Sequence, residues 1–120
     1  IVLAIFNRNS DFHVKLYEKS PVKLVFLEKI VDELELNVKI FNNIYDNNID
    51  SEYIVSRAFK KLDRIIQVSR EIAKKPHKLI ILKGQNAQEE ANSAFKNNKY
   101  PYKLEKSMTN NNSKILLADF

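Results

Sequence analysis

The sequence contains no cysteine and no tryptophan, three prolines and a single glycine. Without cysteine there is no disulfide framework, no thiolate nucleophile and no cysteine-bound zinc, a composition compatible with a reducing compartment. No apolar run approaches the roughly 20 residues that a membrane-spanning helix needs. The opening Ile1 to Phe6 is too short and too poorly flanked to be a secretion signal. The expected setting is therefore the cytoplasm, with no membrane partner. Glycine is the sharpest shortage. Average usage would give about eight in a chain of this length, yet Gly84 stands alone, and the first residue is Ile1 rather than Met. Both features lead to the expectation that the chain begins inside a longer domain.

What remains is an ordinary globular composition. With 120 residues, 44% of them apolar, the chain can build one domain at most, with a core of normal size. A net charge of +5 would suit a polyanionic partner, because lysines that neutralise phosphates supply most non-specific nucleic-acid affinity. Sixteen of the 20 basic residues are Lys, in a chain also rich in Asn and Ile. AT-rich coding alone would produce that mixture, so charge by itself does not assign a partner.

Strand and helix patterns alternate along the chain. Val14 to Glu18 is a short β-branched and apolar run that alternates poorly, as expected of a strand buried on both faces. Ser20 is placed to cap a following helix, with Pro21 where a missing N–H costs nothing and Leu24, Leu27, Ile30, Val31 and Leu34 at helical spacing. Asn37 is expected to stop it. Val38 to Phe41 reads as a second strand, the Asn/Asp-rich stretch Asn42 to Asp50 as a loop, and Tyr53 to Ser56 as a third strand. Phe59, Leu62, Ile66, Ser69 and Ala73 line one face of a second helix that Pro76 should end. Lys78 to Lys83 is the strongest strand signal; Gly84 breaks it. Asn86 with Glu89 resembles a capping box for a short helix ending near Asn98. Tyr102 to Ser107 and Lys114 to Ala118, joined by the Asn110 to Asn112 turn, form an antiparallel hairpin. The pattern predicts an α/β fold: a mostly parallel sheet covered on both faces, binding ligands beyond the carboxyl ends of its strands. The candidate positions are then Glu18 to Ser20, Asn42 to Tyr45, and the Ser56-Arg57 and Lys83-Gly84 steps.

Three ordered segments at these positions carry a resemblance. Leu16-Tyr17-Glu18 with Lys23-Leu24-Val25-Phe26-Leu27, then Ser56-Arg57-Ala58-Phe59, then Leu82-Lys83-Gly84-Gln85, resemble motifs of the bacterial 16S rRNA guanine-N7 methyltransferases, the RsmG or glucose-inhibited division protein B family. Ile1-Val2-Leu3-Ala4-Ile5 resembles the residues that follow that family's glycine-rich loop. The resemblance implies a Rossmann-like class I methyltransferase sheet whose first strand lies outside this chain, residues 1–120 being the C-terminal portion of a single methyltransferase domain. It also implies S-adenosyl-L-methionine as cofactor and 16S ribosomal RNA or the small ribosomal subunit as partner of a monomeric enzyme. The alternative is a non-catalytic basic α/β module that binds RNA, or a methyltransferase remnant. On either alternative, the chain by itself is expected to be inactive.

The resemblance also distributes roles. Glu18, ending its strand, would accept hydrogen bonds from the ribose hydroxyls; otherwise it is a solvated surface glutamate. Ile44 and Tyr45 would flank the adenine. Here the chain departs from the family, which commonly has an arginine where Asn43 stands and an acidic residue where Tyr45 stands. Tyr45 would then stack on the base or be a plain loop tyrosine. Arg57 falls in the family's cofactor and catalytic region, where a guanidinium would hold the methionine carboxylate or an RNA phosphate; the alternative is a helix-start arginine paired with Asp63 or another acid. Lys83 is either an RNA phosphate contact or a solvated lysine. His13 and His77 have no partner at metal-ligand spacing, no metal is implied, and Glu89-Glu90 suits a first helical turn. The chemistry requires no catalytic base: guanine N7 carries no proton and the sulfonium methyl is already activated.

Overall fold

The computed structural model describes residues 1–6, 13–45, 48–57, 60–97 and 100–120. They group into two compact units, Ile1–Asn47 and Asn48–Phe120. Ala58, Phe59 and Asn98, which the sequence patterns assign to a motif and to two helices, lie outside the described residues.

In the first unit a short helix α1 (Val2–Phe6) precedes strand β1 (Val14–Tyr17), helix α2 (Pro21–Glu33) and strand β2 (Val38–Phe41). β1 and β2 pair in parallel from Val14↔Val38 to Tyr17↔Phe41, with α2 as their crossover. The Tyr17 and Phe41 rings stack with centroids 5.1 Å apart. β1 carries no buried residue, contrary to the expectation of burial on both faces, because the sheet here has two strands. Ser20 does occupy the cap position of α2, but its side chain makes no capping bond. The Ser20 backbone N–H instead donates to Glu18 Oε1 at 2.8 Å, which fixes the turn ahead of the helix. Leu24, Leu27, Ile30 and Val31 are half-buried along one side of α2, whereas Leu34 is its exposed C-cap.

The helix stops before Asn37. Glu35 adopts a left-handed φ of 49°. The Leu36 N–H then returns to the Val31 carbonyl at 3.0 Å and the Glu35 N–H to the Asp32 carbonyl at 3.3 Å, which together make a Schellman motif. Glycine usually fills the left-handed position because a Cβ is penalised there; in a chain with one glycine, Glu35 fills it.

The second unit contains β3 (Tyr53–Arg57), α3 (Leu62–Ile72), β4 (Lys78–Lys83), α4 (Ala87–Phe95), β5 (Tyr102–Lys106) and β6 (Lys114–Asp119). The strand order is β3-β4-β6-β5, with β3 parallel to β4 and β6 antiparallel to both of its neighbours. The C-terminal hairpin is therefore present as expected, and β1 and β3 belong to different sheets. Leu79 and Ile81 of β4 and Leu116 and Ala118 of β6 are buried beneath Leu62, Ile65 and Ile66 of α3 and Ala91 and Phe95 of α4. Tyr53, Val55 and Leu82, on the opposite face, stay exposed. Coverage of both faces is thus not what the described residues display.

Two expectations fail for a shared reason. Ile49, read as loop, is buried, and Ala73, read as helix face, leaves α3 in an extended conformation. The two form a parallel bridge, with the Ile49 N–H on the Ile72 carbonyl at 2.8 Å and the Lys74 N–H on the Ile49 carbonyl at 3.0 Å. That pairing ends α3 before Pro76 acts. Ser69 remains on the buried face because its hydroxyl donates to the Ile66 carbonyl at 2.9 Å. Asn86 precedes α4 without a side-chain capping bond, so the capping box does not form.

Candidate active site

Within each unit the candidate residues collect at one edge, because parallel strands end together. In the first unit, Glu18 follows the end of β1 and the 42–45 turn follows the end of β2. The Glu18 backbone N–H donates to the Phe41 carbonyl at 3.0 Å, which ties the two strand ends. Its side chain is 27% exposed, with Oε2 3.9 Å from Lys23 Nζ. Glu18 is therefore an oriented, half-buried carboxylate and not a freely solvated one. In the turn, Ile44 is half-buried and the Tyr45 side chain exposed. Asn43 Oδ1 accepts the Tyr45 N–H at 3.1 Å, an Asx turn that fixes the loop and occupies that N–H. In β1, the Tyr17 hydroxyl is buried with no partner among the described residues, and burial pushes its pKa above the ordinary 10.0.

In the second unit, Arg57 is the last residue of β3, directly beside Leu82 of β4, so it adjoins the Lys83-Gly84 step. It is exposed, and among the described residues it forms no ion pair. It is a strand residue and does not start α3; Asp63, the proposed alternative partner, instead accepts the Arg64 N–H. A solvated Lys83 is equally ruled out. Its side chain is 12% exposed, and its ammonium donates to Glu90 Oε2 at 2.6 Å and to the Lys60 carbonyl at 3.3 Å. Sequence spacing gave no hint of this pair, because the six residues between Lys83 and Glu90 cross from a strand end to a helix start. Glu89 and Glu90 both fall in the first turn of α4, as expected, but Glu90 also holds the lysine.

The histidines lie away from these edges. His13 accepts from Asn37 Nδ2 at 3.0 Å through its ring Nδ1. His77 is buried against Phe120, with Nδ1 donating to the Lys75 carbonyl at 3.2 Å. Among the described residues no group of His, Asp and Glu could hold a metal ion, and no helix is long and apolar enough to cross a membrane.

Comparison with solved structures agrees with this architecture. A crystal structure of M. jannaschii TYW2 in complex with AdoMet superposes with a TM-score of 0.58 at 16% identity, covering 89% of this chain and 56% of that one. TehB from Haemophilus influenzae gives 0.55 at 15% identity, over 97% of this chain and 51% of that one. The fold is the Rossmann-like α/β arrangement of class I methyltransferases. Among sequences, the ribosomal RNA small subunit methyltransferase G of Pelagibacter ubique is 31% identical over 118 residues, 97% of this chain and 55% of the relative. The chain spans about half the length of the curated relatives it matches. The family model of rRNA small subunit methyltransferase G, GidB, matches residues 1–116, and the chain belongs to that family.

Proposed function

We propose that this chain is part of an S-adenosylmethionine-dependent enzyme that methylates a guanine N7 in 16S ribosomal RNA, acting as a monomer in the cytoplasm. One observation supports the reading most strongly. The family-motif residues Glu18, Arg57 and Lys83 all lie at carboxyl ends of parallel strands, the edge where such sheets bind ligands. Ile44 and Tyr45 follow the end of β2 on the same edge as Glu18.

The described residues fit the nucleoside part of the cofactor. Glu18 spends one lone pair on the Ser20 N–H and keeps others for two ribose hydroxyls. Ile44 would pack on the adenine and Tyr45 would stack against it. With the Tyr45 N–H already taken by Asn43, reading of the base edge would fall to neighbouring backbone groups. Arg57 would hold the methionine carboxylate or an RNA phosphate with two parallel N–H donors, and it is the residue we assign to the catalytic region. Lys83 has three N–H donors and two acceptors in the protein, so one remains for an RNA phosphate.

The bound cofactor would supply a methyl group already activated on sulfur. What the protein must do is align that methyl with the N7 lone pair, a task of orientation and water exclusion without proton transfer. The methionine end asks for close backbone approach, which glycine permits. Ile1–Phe6 has none, so the 120-residue chain by itself should not transfer methyl groups.

The test is transfer from tritiated S-adenosylmethionine to 16S rRNA lacking N7 methylation, using the full protein that contains this chain. Label at guanine N7 is expected. Label on another atom, or no label with an intact protein, would overturn the assignment.

A further inference from the structure

The β5–β6 hairpin adds basic residues to the same edge. β6 runs antiparallel to β4, so its first residue lies beside the last residue of β4, in the register Lys83↔Lys114. Lys114 in turn lies directly opposite Lys106, the last residue of β5. Three lysines on three adjacent strands therefore share a face at the carboxyl end of β4. With neighbouring strands about 4.8 Å apart, the row spans roughly 10 Å.

Like charges directly opposite each other destabilise a strand pair unless something neutralises them. Lys83 is neutralised by Glu90. Lys106 and Lys114 are not: among the described residues neither forms an ion pair or a side-chain hydrogen bond. Lys106 is exposed and Lys114 half-buried, so each can extend its ammonium from the hairpin end. An anion seated between them would remove the repulsion.

The turn that these lysines flank indicates which anion. Its backbone is satisfied internally: the Ser107 N–H donates to the Ser113 carbonyl at 3.0 Å, the Ser113 N–H to the Asn110 carbonyl at 3.1 Å, and the Asn112 N–H to Asn110 Oδ1 at 2.8 Å. Residues 108–112 all point into solvent, including a fully exposed Met108, and the side-chain amides of Asn111 and Asn112 have no partner among the described residues. A firm turn that offers amide donors and acceptors beside paired cations matches the needs of an unpaired RNA segment, whose phosphates take the charge and whose bases take the amides.

We propose that the tip of the β5–β6 hairpin is an RNA contact, in which a backbone phosphate sits between Lys106 and Lys114 and the 108–112 turn meets the adjoining bases. This rests on the rRNA reading above and adds the surface that carries the RNA backbone past the Arg57 edge.

The experiment is a salt titration of single-stranded 16S rRNA fragment binding by the 120-residue chain, compared with Lys106→Gln/Lys114→Gln and with Lys78→Gln/Lys96→Gln as a charge-matched control. The hairpin variant should bind on the order of tenfold more weakly, and its log–log salt slope should fall by about 0.7, the single-strand value for one phosphate. The control should keep most of both. Lys106→Arg/Lys114→Arg should restore binding, and a melting temperature for Lys106→Gln/Lys114→Gln at or above wild type would show that the hairpin still forms. Equal loss in hairpin and control variants, no RNA binding by the wild-type chain, or tighter binding to polyglutamate than to RNA would each overturn the proposal. Titration with S-adenosylhomocysteine runs in parallel. RNA binding that depends on the hairpin without any cofactor binding would leave this surface standing and count against the methyltransferase reading instead.

Discussion

In the C-terminal unit the sheet is anchored by side chains with no solvent exposure, Leu79, Ile81 and Leu116, packed under two helices. The N-terminal unit has two strands of four residues each, a helix α2 with no buried residue, and, among its described residues, only Ala4 and Leu36 buried. An isolated strand pair of this length is marginal by itself. Candidate residues fall on each unit. The groups assigned to the nucleoside, Glu18, Ile44 and Tyr45, sit on the lightly packed unit, and the anion-holding Arg57 and the Lys83–Glu90 pair sit on the firm one. Ligand binding should therefore order the first unit more than the second, since binding surfaces are commonly drawn from the less stable parts of a fold.

The largest expected effect tests the packing difference itself. Ile81→Ala removes a fully buried side chain and should cost about 2–5 kcal/mol in denaturant unfolding. Ile30→Ala on half-buried α2 should cost about 1 kcal/mol. Equal costs would abolish the distinction between the units.

Next in size is Arg57→Ala in the full protein. Losing a charge-assisted contact should lower transfer efficiency more than tenfold, about 1.5–3 kcal/mol, with little change in melting temperature because Arg57 has no partner among the described residues. Near-normal turnover with a much lower melting temperature would show that Arg57 serves the fold.

Smaller effects are expected inside the N-terminal unit. Tyr17→Phe deletes a buried hydroxyl that has no partner among the described residues and should be neutral or stabilising by about 1 kcal/mol. It also tests a pH dependence. The folded pKa of Tyr17 is raised, so its contribution is complete below the unfolded value near 10 and is lost as pH rises through the folded value, where the unfolded chain has already ionised. Urea melts between pH 9 and about 11.5 should show that loss in wild type and a reduced loss in the variant. Glu35→Gly should relieve the left-handed strain and stabilise α2 by about 0.5–1 kcal/mol, read from the same melts. Destabilisation would mean that the Glu35 side chain contributes more than its backbone costs.

The sequence was most readable where structure is local. β2 and β4 have the bounds that their β-branched runs predict, and the hairpin follows from its Asn turn. The ends of β1 and β3 were each read one residue off, at Glu18 instead of Tyr17 and at Ser56 instead of Arg57, close enough to place Glu18 and Arg57 at strand ends. What was hidden depends on partners distant in the chain. Ile49 looks like loop until Ala73 pairs with it, and Lys83 looks solvated until α4 brings Glu90 to it. The Glu18 contact to Ser20 is local but was not read from the sequence: the Ser20 side chain, expected to accept from the helix, makes no capping bond, while its backbone N–H donates to Glu18 Oε1. Lys106 and Lys114 could have been found from the hairpin register alone, because residues flanking a turn face each other.

The carboxyl edge of the N-terminal unit is proposed to hold the cofactor's nucleoside, and amide chemical shifts report on that edge residue by residue. Titrating the 120-residue chain with S-adenosylhomocysteine should shift the amides of Glu18 to Ser20 and Asn43 to Tyr45, and Glu18→Ala should remove most of that response. Shifts confined to other residues, or an unchanged response in Glu18→Ala, would contradict the account.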